Sequence, residues 1–160
     1  MGVRIIILTT LNLAAIRWQR RDIKGMRELA EQTLDILKGI PSLDSLDEAK
    51  HLLGRAYRFM GLFYSQSIGP DYNRSKQYFN MGLDQLQQLA TKFKGAKDGD
   101  WRWLRSLARL NEYMGDLLLT NRNEINDANK YYNANIDTLS YVKRLGFSGL
   151  SDVNEPEVNF

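Results

Sequence analysis

The chain holds one histidine, His51, and no cysteine. Those two facts remove much of what a protein does by covalent or metal chemistry. Without cysteine there is no disulfide, no thiol nucleophile and no cysteine ligand for a metal. A lone histidine lacks the companions that a metal centre or a base–nucleophile pair needs, and no His-x-x-x-His or His–Cys set is present. His51 stands beside Leu52 and Leu53 in a helical pattern, so its expected role is structural. The carboxylates are scattered. Asp44, Asp47 and Glu48 gather where a helix begins, and the helix dipole accounts for them there. Asp98 and Asp100 flank Gly99, but the later acidic ligands of a calcium loop do not follow. No Gly-x-Gly-x-x-Gly occurs, nor a glycine-rich loop ending in Gly-Lys-Ser/Thr. The expectation is no catalytic residue, no metal and no cofactor: a protein that is not an enzyme.

Basic residues are the remaining candidates. "RWQRRDIKGMR" carries Arg17, Arg20, Arg21, Lys24 and Arg27. "KFKGAKDGDWRWLRSLAR" carries Lys92, Lys94, Lys97, Arg102, Arg105 and Arg109, with Trp101 and Trp103. Cations interleaved with aromatics can follow a phosphate backbone and stack bases. Glu28, Glu31, Asp98 and Asp100 dilute both runs. The net charge of +3, from 22 basic and 19 acidic residues, is small for a dedicated nucleic-acid binder. The expectation is a solvated basic face with the tryptophans packed beneath it. Nucleic-acid binding is the alternative, and Arg17, Arg20, Arg21 and Lys24 are the candidate contacts to an anionic surface.

These side chains need elements to position them. At 160 residues, 43% apolar and 26% charged, the chain has the size and composition of one globular domain. Only three prolines occur, Pro41, Pro70 and Pro156, all between periodic segments. The spacing predicts an all-α domain over residues 1–146 with six helices, near 3–20, 22–39, 45–67, 72–93, 101–121 and 125–145. Ser45 and Glu48 have the spacing of a capping box. Asp100 is placed to cap the fifth helix, and Gly146 to end the sixth after Lys143 and Arg144. Residues 147–160 carry Asp152, Glu155 and Glu157 without a periodic face, and are expected to form a loose acidic tail. The apolar run from Val3 to Ile16 contains Arg4, Thr9, Thr10 and Asn12, and is shorter than the ~20 apolar residues of a membrane span. Arg17, Arg20 and Arg21 follow it directly, and no clean small-x-small site precedes Ile16. It is expected to be a buried helix of a cytoplasmic protein. The alternative is a signal or anchor, with a periplasmic or membrane-associated protein and membrane contact through residues 3–16.

Two segments of the chain repeat one another. Tyr57, Met60-Gly61 and Tyr64 are followed by Ser75, Phe79 and Gly82-Leu83. Asn111, Met114-Gly115 and Leu118 are followed by Ala128, Tyr132 and Asn135-Ile136. Gly61 and Gly115 are 54 residues apart, and Ser75 and Ala128 are 53 apart. Met26, Ala30 and Thr33 form a fainter N-terminal counterpart. This spacing resembles the tetratricopeptide repeat, in which an apolar residue and glycine precede an aromatic, and the second helix carries alanine and then an aromatic. The period is longer than that family's 34 residues, and its closing proline is absent. The resemblance implies a tetratricopeptide-like array of about three antiparallel helical hairpins. Gly61 and Gly115 would lie at close helix crossings, and Tyr64, Phe79 and Tyr132 would fill the space between hairpins.

In tetratricopeptide proteins the first helix of each hairpin lines the ligand groove. The matching residues are Arg55, Arg58 and Leu62 in one hairpin and Arg109, Glu112 and Asp116 in the next. Leu62 stands where the chaperone-binding members carry the first asparagine of their carboxylate clamp, so that clamp is not supported. The resemblance extends to bacterial regulators and to periplasmic transporter components; the latter are often lipoproteins, and the absence of cysteine argues against that class. The expected function is a non-catalytic scaffold or adaptor for a protein or peptide partner, with homo-oligomerisation open. Nucleic-acid binding and a periplasmic transport-associated role are the alternatives.

Overall fold

The computed structural model describes residues 2–41, 46–92, 101–122 and 124–144, with the backbone alone for residues 101, 121, 122 and 142. These residues form six α-helices: α1 (Gly2–Gln19), α2 (Ile23–Lys38), α3 (Asp47–Gln66), α4 (Tyr72–Lys92), α5 (Trp101–Arg122) and α6 (Ile125–Arg144). Among the described residues there is no strand. Consecutive helices pair as α1 with α2, α3 with α4, and α5 with α6. Each second helix then packs on the next first helix, α2 on α3 and α4 on α5, and the first helices also touch, α1 on α3 and α3 on α5.

The breaks follow local chemistry. Asp22 caps α2, its carboxylate accepting from the Gly25 amide at 2.9 Å. Between α3 and α4, Gly69 takes φ +73, a conformation that costs a glycine little, and Pro70 follows it. Asp71 then caps α4 through the Arg74 amide at 3.1 Å. At the start of α3, Leu46 is the N-cap residue and makes no side-chain hydrogen bond, and Glu48 accepts from Arg4 Nε of α1 at 2.6 Å. Ser45, Asp100, Gly146 and the tail 147–160 lie outside the described residues.

The packing turns on residues that leave side chains out. A Cβ at Gly61 would collide with the Phe79 ring, and one at Gly115 would lie 2.6 Å from the Tyr132 ring. In both hairpins a glycine of the first helix therefore admits an aromatic of the second. Gly82 permits two close approaches: a Cβ there would lie 3.2 Å from the Gly54 carbonyl oxygen in its own hairpin and 3.0 Å from Leu110 in the next. Ser75, fully buried, donates its hydroxyl to the Gly61 carbonyl at 2.8 Å. Phe79 also stacks on Tyr113 of α5, centroids 6.2 Å apart, so one ring fills the notch in its own hairpin and reaches the next. Tyr132 departs from the expected inter-hairpin role and covers Gly115 within its own hairpin. Tyr64 stacks on Tyr78 of α4 at 5.7 Å and also meets the preceding hairpin, where the Arg27 guanidinium of α2 lies 5.8 Å from its ring.

α1 is a packed helix of this body. Ile7, Leu11, Ala14 and Ala15 join the core, while Val3, Ile5, Ile6 and Leu13 stay exposed. Among the described residues no helix is long and apolar enough to cross a membrane.

Replacing Gly61 with leucine will force the Phe79 ring out of its place and overpack the α3–α4 crossing. The expected loss is about 1–3 kcal/mol in chemical denaturation, with an all-α circular-dichroism spectrum retained. Unchanged stability would mean that α3 and α4 do not cross closely at this residue.

Candidate functional site

The first helices α1, α3 and α5 lie side by side, and three polar contacts set their register. Arg4 reaches Glu48; Arg55 Nη2 donates to Asn12 Oδ1 at 3.2 Å; His51 Nε2 and Ser106 Oγ share a hydrogen bond of 2.9 Å. The α1–α3 contacts join residues 44 and 43 apart, a nearly constant offset, so those two helices run parallel. The α3–α5 contact has an offset of 55, close to the sequence repeat. By the 54-residue spacing of the sequence Arg109 corresponds to Arg55, Glu112 to Arg58 and Asp116 to Leu62, one residue from that register.

Helical periodicity gathers the charges. His51, Arg55, Arg58 and Leu62 fall on one stripe of α3, and Arg102, Arg105, Arg109, Glu112 and Asp116 on one stripe of α5. The structure therefore brings all six expected groove residues to neighbouring stripes of adjacent helices. It corrects their exposure. Arg55, Arg58 and Leu62 are 0%, 1% and 2% exposed, so they present no open surface. Arg109 is half-buried, and Glu112 and Asp116 are exposed. Arg105, not placed in the groove from sequence, is 7% exposed on the same α5 stripe. Its spacing four residues before Arg109 was the available signal. Arg58 lies over the Phe59 ring at 5.3 Å, which offsets part of the cost of removing its charge from water.

The acidic end of the stripe has shifted titrations. Desolvation and then the like charge of Asp116 raise the Glu112 carboxyl above its ordinary value, against the lowering effect of Arg109. Tyr132 donates its hydroxyl to Asp116 at 2.6 Å. Burial, that hydrogen bond and the negative charges of Asp116 and Glu112 push the Tyr132 phenol up to about 12.

The N-terminal basic run is partly committed within the fold. Arg17 bonds Asp22 at 3.1 Å, and Arg27 bonds Glu31 at 3.0 Å while covering the Phe63 ring at 4.5 Å. Arg20, Arg21 and Lys24 are exposed. In the second run Lys92 bonds Asp47 at 2.6 Å, and Trp103 is 7% exposed and belongs to the core, so it offers no face for stacking bases. Lys94 and Lys97 lie outside the described residues. His51 is half-buried at the α3–α5 contact, and among the described residues no three His, Asp or Glu side chains group as a metal site would need. A cavity of about 430 Å³ between α4, α5 and α6 is lined in part by Lys76, Asn111, Tyr131 and Lys130. Lys130 is paired there with Asp127 at 3.5 Å.

No protein-family model matches this chain, and neither a curated protein nor a solved structure matches it.

The sign of the Glu112 shift fixes a pH dependence. A raised folded-state pKa favours the protonated carboxyl, so the stability it contributes is complete below the ordinary carboxylate range and is lost as pH rises through that range. Glu112→Gln removes this loss. Its melting temperature is expected to match the parent near pH 3 and to exceed it at pH 7; a variant less stable than the parent at pH 7 would show that Arg109 outweighs desolvation and Asp116.

Proposed function

We propose that this chain is a non-catalytic scaffold built from tetratricopeptide-like hairpins, which binds a protein or peptide along the face shared by α1, α3 and α5. The observation that carries this is the register of the three first helices. Arg4–Glu48, Asn12–Arg55 and His51–Ser106 tie them into one continuous surface, as stacked hairpins require. The paired glycine–aromatic crossings at Gly61–Phe79 and Gly115–Tyr132 support a repeat as their origin. Arg109, Glu112 and Asp116 are the accessible part of that face, and their mixed charge suits a polypeptide better than a uniform polyanion. The run Arg17, Arg20 and Arg21 directly after α1 favours a cytoplasmic setting over an exported one.

The exposed Val3, Ile5, Ile6 and Leu13 of α1 support a second contact, to another subunit, another copy or a membrane, because a group of exposed apolar side chains is stabilised by being covered.

Affinity capture from the native host, read by mass spectrometry, tests the scaffold. The full chain is expected to retain a partner that the paired variant Arg109→Glu/Glu112→Lys loses, while Ile5→Ser/Ile6→Ser leaves it bound. A partner lost only with the α1 variant moves the interface to the terminal helix. Nucleic acid bound at micromolar affinity in physiological salt, and released on reversing Arg17, Arg20 and Arg21 to glutamate, would overturn the proposal.

A further inference from the structure

α1 is apolar on two sides. Its inner stripe, Ile7, Leu11, Ala14 and Ala15, belongs to the core. On the opposite side Ile6, Thr9, Leu13, Ile16 and Arg20 recur at spacings of three and four, with Ile5 beside them. Ile5, Ile6 and Leu13 are exposed and Ile16 is half-buried. A helix that is apolar all round is ordinarily covered all round. The charge is as one-sided as the hydropathy. Residues 2–21 hold Arg4, Arg17, Arg20 and Arg21 and no carboxylate, while the whole chain carries only +3. The rest of the chain is therefore slightly acidic, and the positive balance sits on α1 and the turn after it. Arg4 and Arg17 are engaged by Glu48 and Asp22. Arg20, Arg21 and Lys24 are exposed and form no ion pair with a described residue. Arg21 holds φ +63, where glycine or asparagine would cost less, so a cation stands at this turn despite backbone strain. Along α2 the basic patch ends within one turn of Lys24, at the exposed Glu28.

We infer that this side of α1 docks on an anionic lipid surface, with Ile5, Ile6 and Leu13 inserted among the lipid chains and Arg20, Arg21 and Lys24 at the level of the phosphates. This rests only on the second contact of the proposed function, which it commits to one occupant, and it makes no use of Arg109, Glu112 or Asp116. A helix that lies in a membrane interface needs an apolar stripe and basic residues, and inserts by about 5–10 Å. α1 has both, and its 18 residues give it a length of about 27 Å in that plane. Among the described residues no helix is long and apolar enough to cross a membrane, so the contact lies on the surface. The charge pattern selects among occupants. Two copies of α1 laid together would set arginines against arginines or isoleucines, with no carboxylate on α1 to receive them. A nucleic acid would meet the cations but gain nothing from the exposed isoleucines. An anionic bilayer supplies a hydrocarbon layer for Ile5, Ile6 and Leu13 and a negative surface for the cations in one place.

α1 is already folded against α2, so docking orders no new backbone. Each cation near an anionic surface raises the partition by about fivefold, and salt shortens the range of that attraction. Arg109, Glu112 and Asp116 take no part in the contact and stay free to hold a partner, so the consequence is a scaffold that keeps its partner at a membrane surface.

The test mixes the full chain with vesicles of phosphatidylcholine alone, and of phosphatidylcholine and phosphatidylserine in equal parts, and measures the bound fraction by sedimentation. Binding to the mixed vesicles is expected to be about tenfold tighter or more, and to weaken as salt is added. Arg20→Glu/Arg21→Glu and, separately, Ile5→Ser/Ile6→Ser should each reduce it by about tenfold or more. All four side chains are exposed, so the helical spectrum should not change. Lys143→Glu/Arg144→Glu makes the same change in net charge from exposed residues of α6, and should leave binding within about threefold. Equal binding to both kinds of vesicle, no binding to either, binding indifferent to the isoleucine pair, or an equal loss with the α6 pair would each overturn the inference. A concentration-dependent dimer abolished by Ile5→Ser/Ile6→Ser, without vesicle binding, would overturn it in favour of a second copy. The two proposals separate cleanly. Partner capture that depends on Arg109 and Glu112 without vesicle binding leaves the scaffold standing and removes the membrane contact. Vesicle binding without such capture leaves the membrane contact and removes the scaffold.

Discussion

The structure depends on the removal of side chains where helices cross. Gly61 and Gly115 each admit an aromatic ring from the partner helix, and Gly82 brings α4 against both the Gly54 carbonyl and Leu110. Close packing of this kind is as dense as an organic crystal and tolerates little added volume. It also fixes rotation. Once Phe79 occupies the notch at Gly61, the azimuth of α3 is set, and His51, Arg55, Arg58 and Leu62 can only lie on the side shared with α1 and α5. The same crossing at Gly115 orients α5 and aligns Arg105, Arg109 and Glu112. The charged face is thus a consequence of the apolar crossings behind it.

That coupling ties residues of different character to one another. The buried Ser75 hydroxyl satisfies the Gly61 carbonyl, so even the polar atoms at the crossing are consumed by it. Phe79 is shared between its own notch and Tyr113 of the following hairpin, which makes the stacking of hairpins part of the same core. The polar contacts among α1, α3 and α5 then act as register marks. They add little stability where exposed, as at Arg4–Glu48, but they hold the first helices level.

Much of the fold was legible in the sequence, because helical periodicity and breakers are local signals. The six expected segments agree with the observed helices to within about two residues at the described ends, and the role of Gly61 and Gly115 followed from their repeated company of apolar and aromatic residues. The contact between Glu48 and Arg4 was not legible: the two are 44 positions apart, and no local rule contains it. The candidate site was half legible. Its residues share neighbouring stripes, as spacing implied, but the burial of Arg55 and Arg58 depends on what surrounds α3 in three dimensions. Charge suggested surface; packing overrode it. Trp103 shows the same reversal, since an aromatic between arginines reads equally well as a stacking platform or as core, and here it is core.

The central claim is that three hairpins stack so that α1, α3 and α5 lie level and share one face. Nuclear Overhauser contacts in the isotope-labelled full chain measure this most directly. The account predicts contacts between Asn12 and Arg55 and between His51 and Ser106 in the same sample, together with contacts from the Phe79 ring to both the Gly61 α-protons and Tyr113. Helices intact by chemical shift but without either set of inter-hairpin contacts would contradict it, because no common face would then exist.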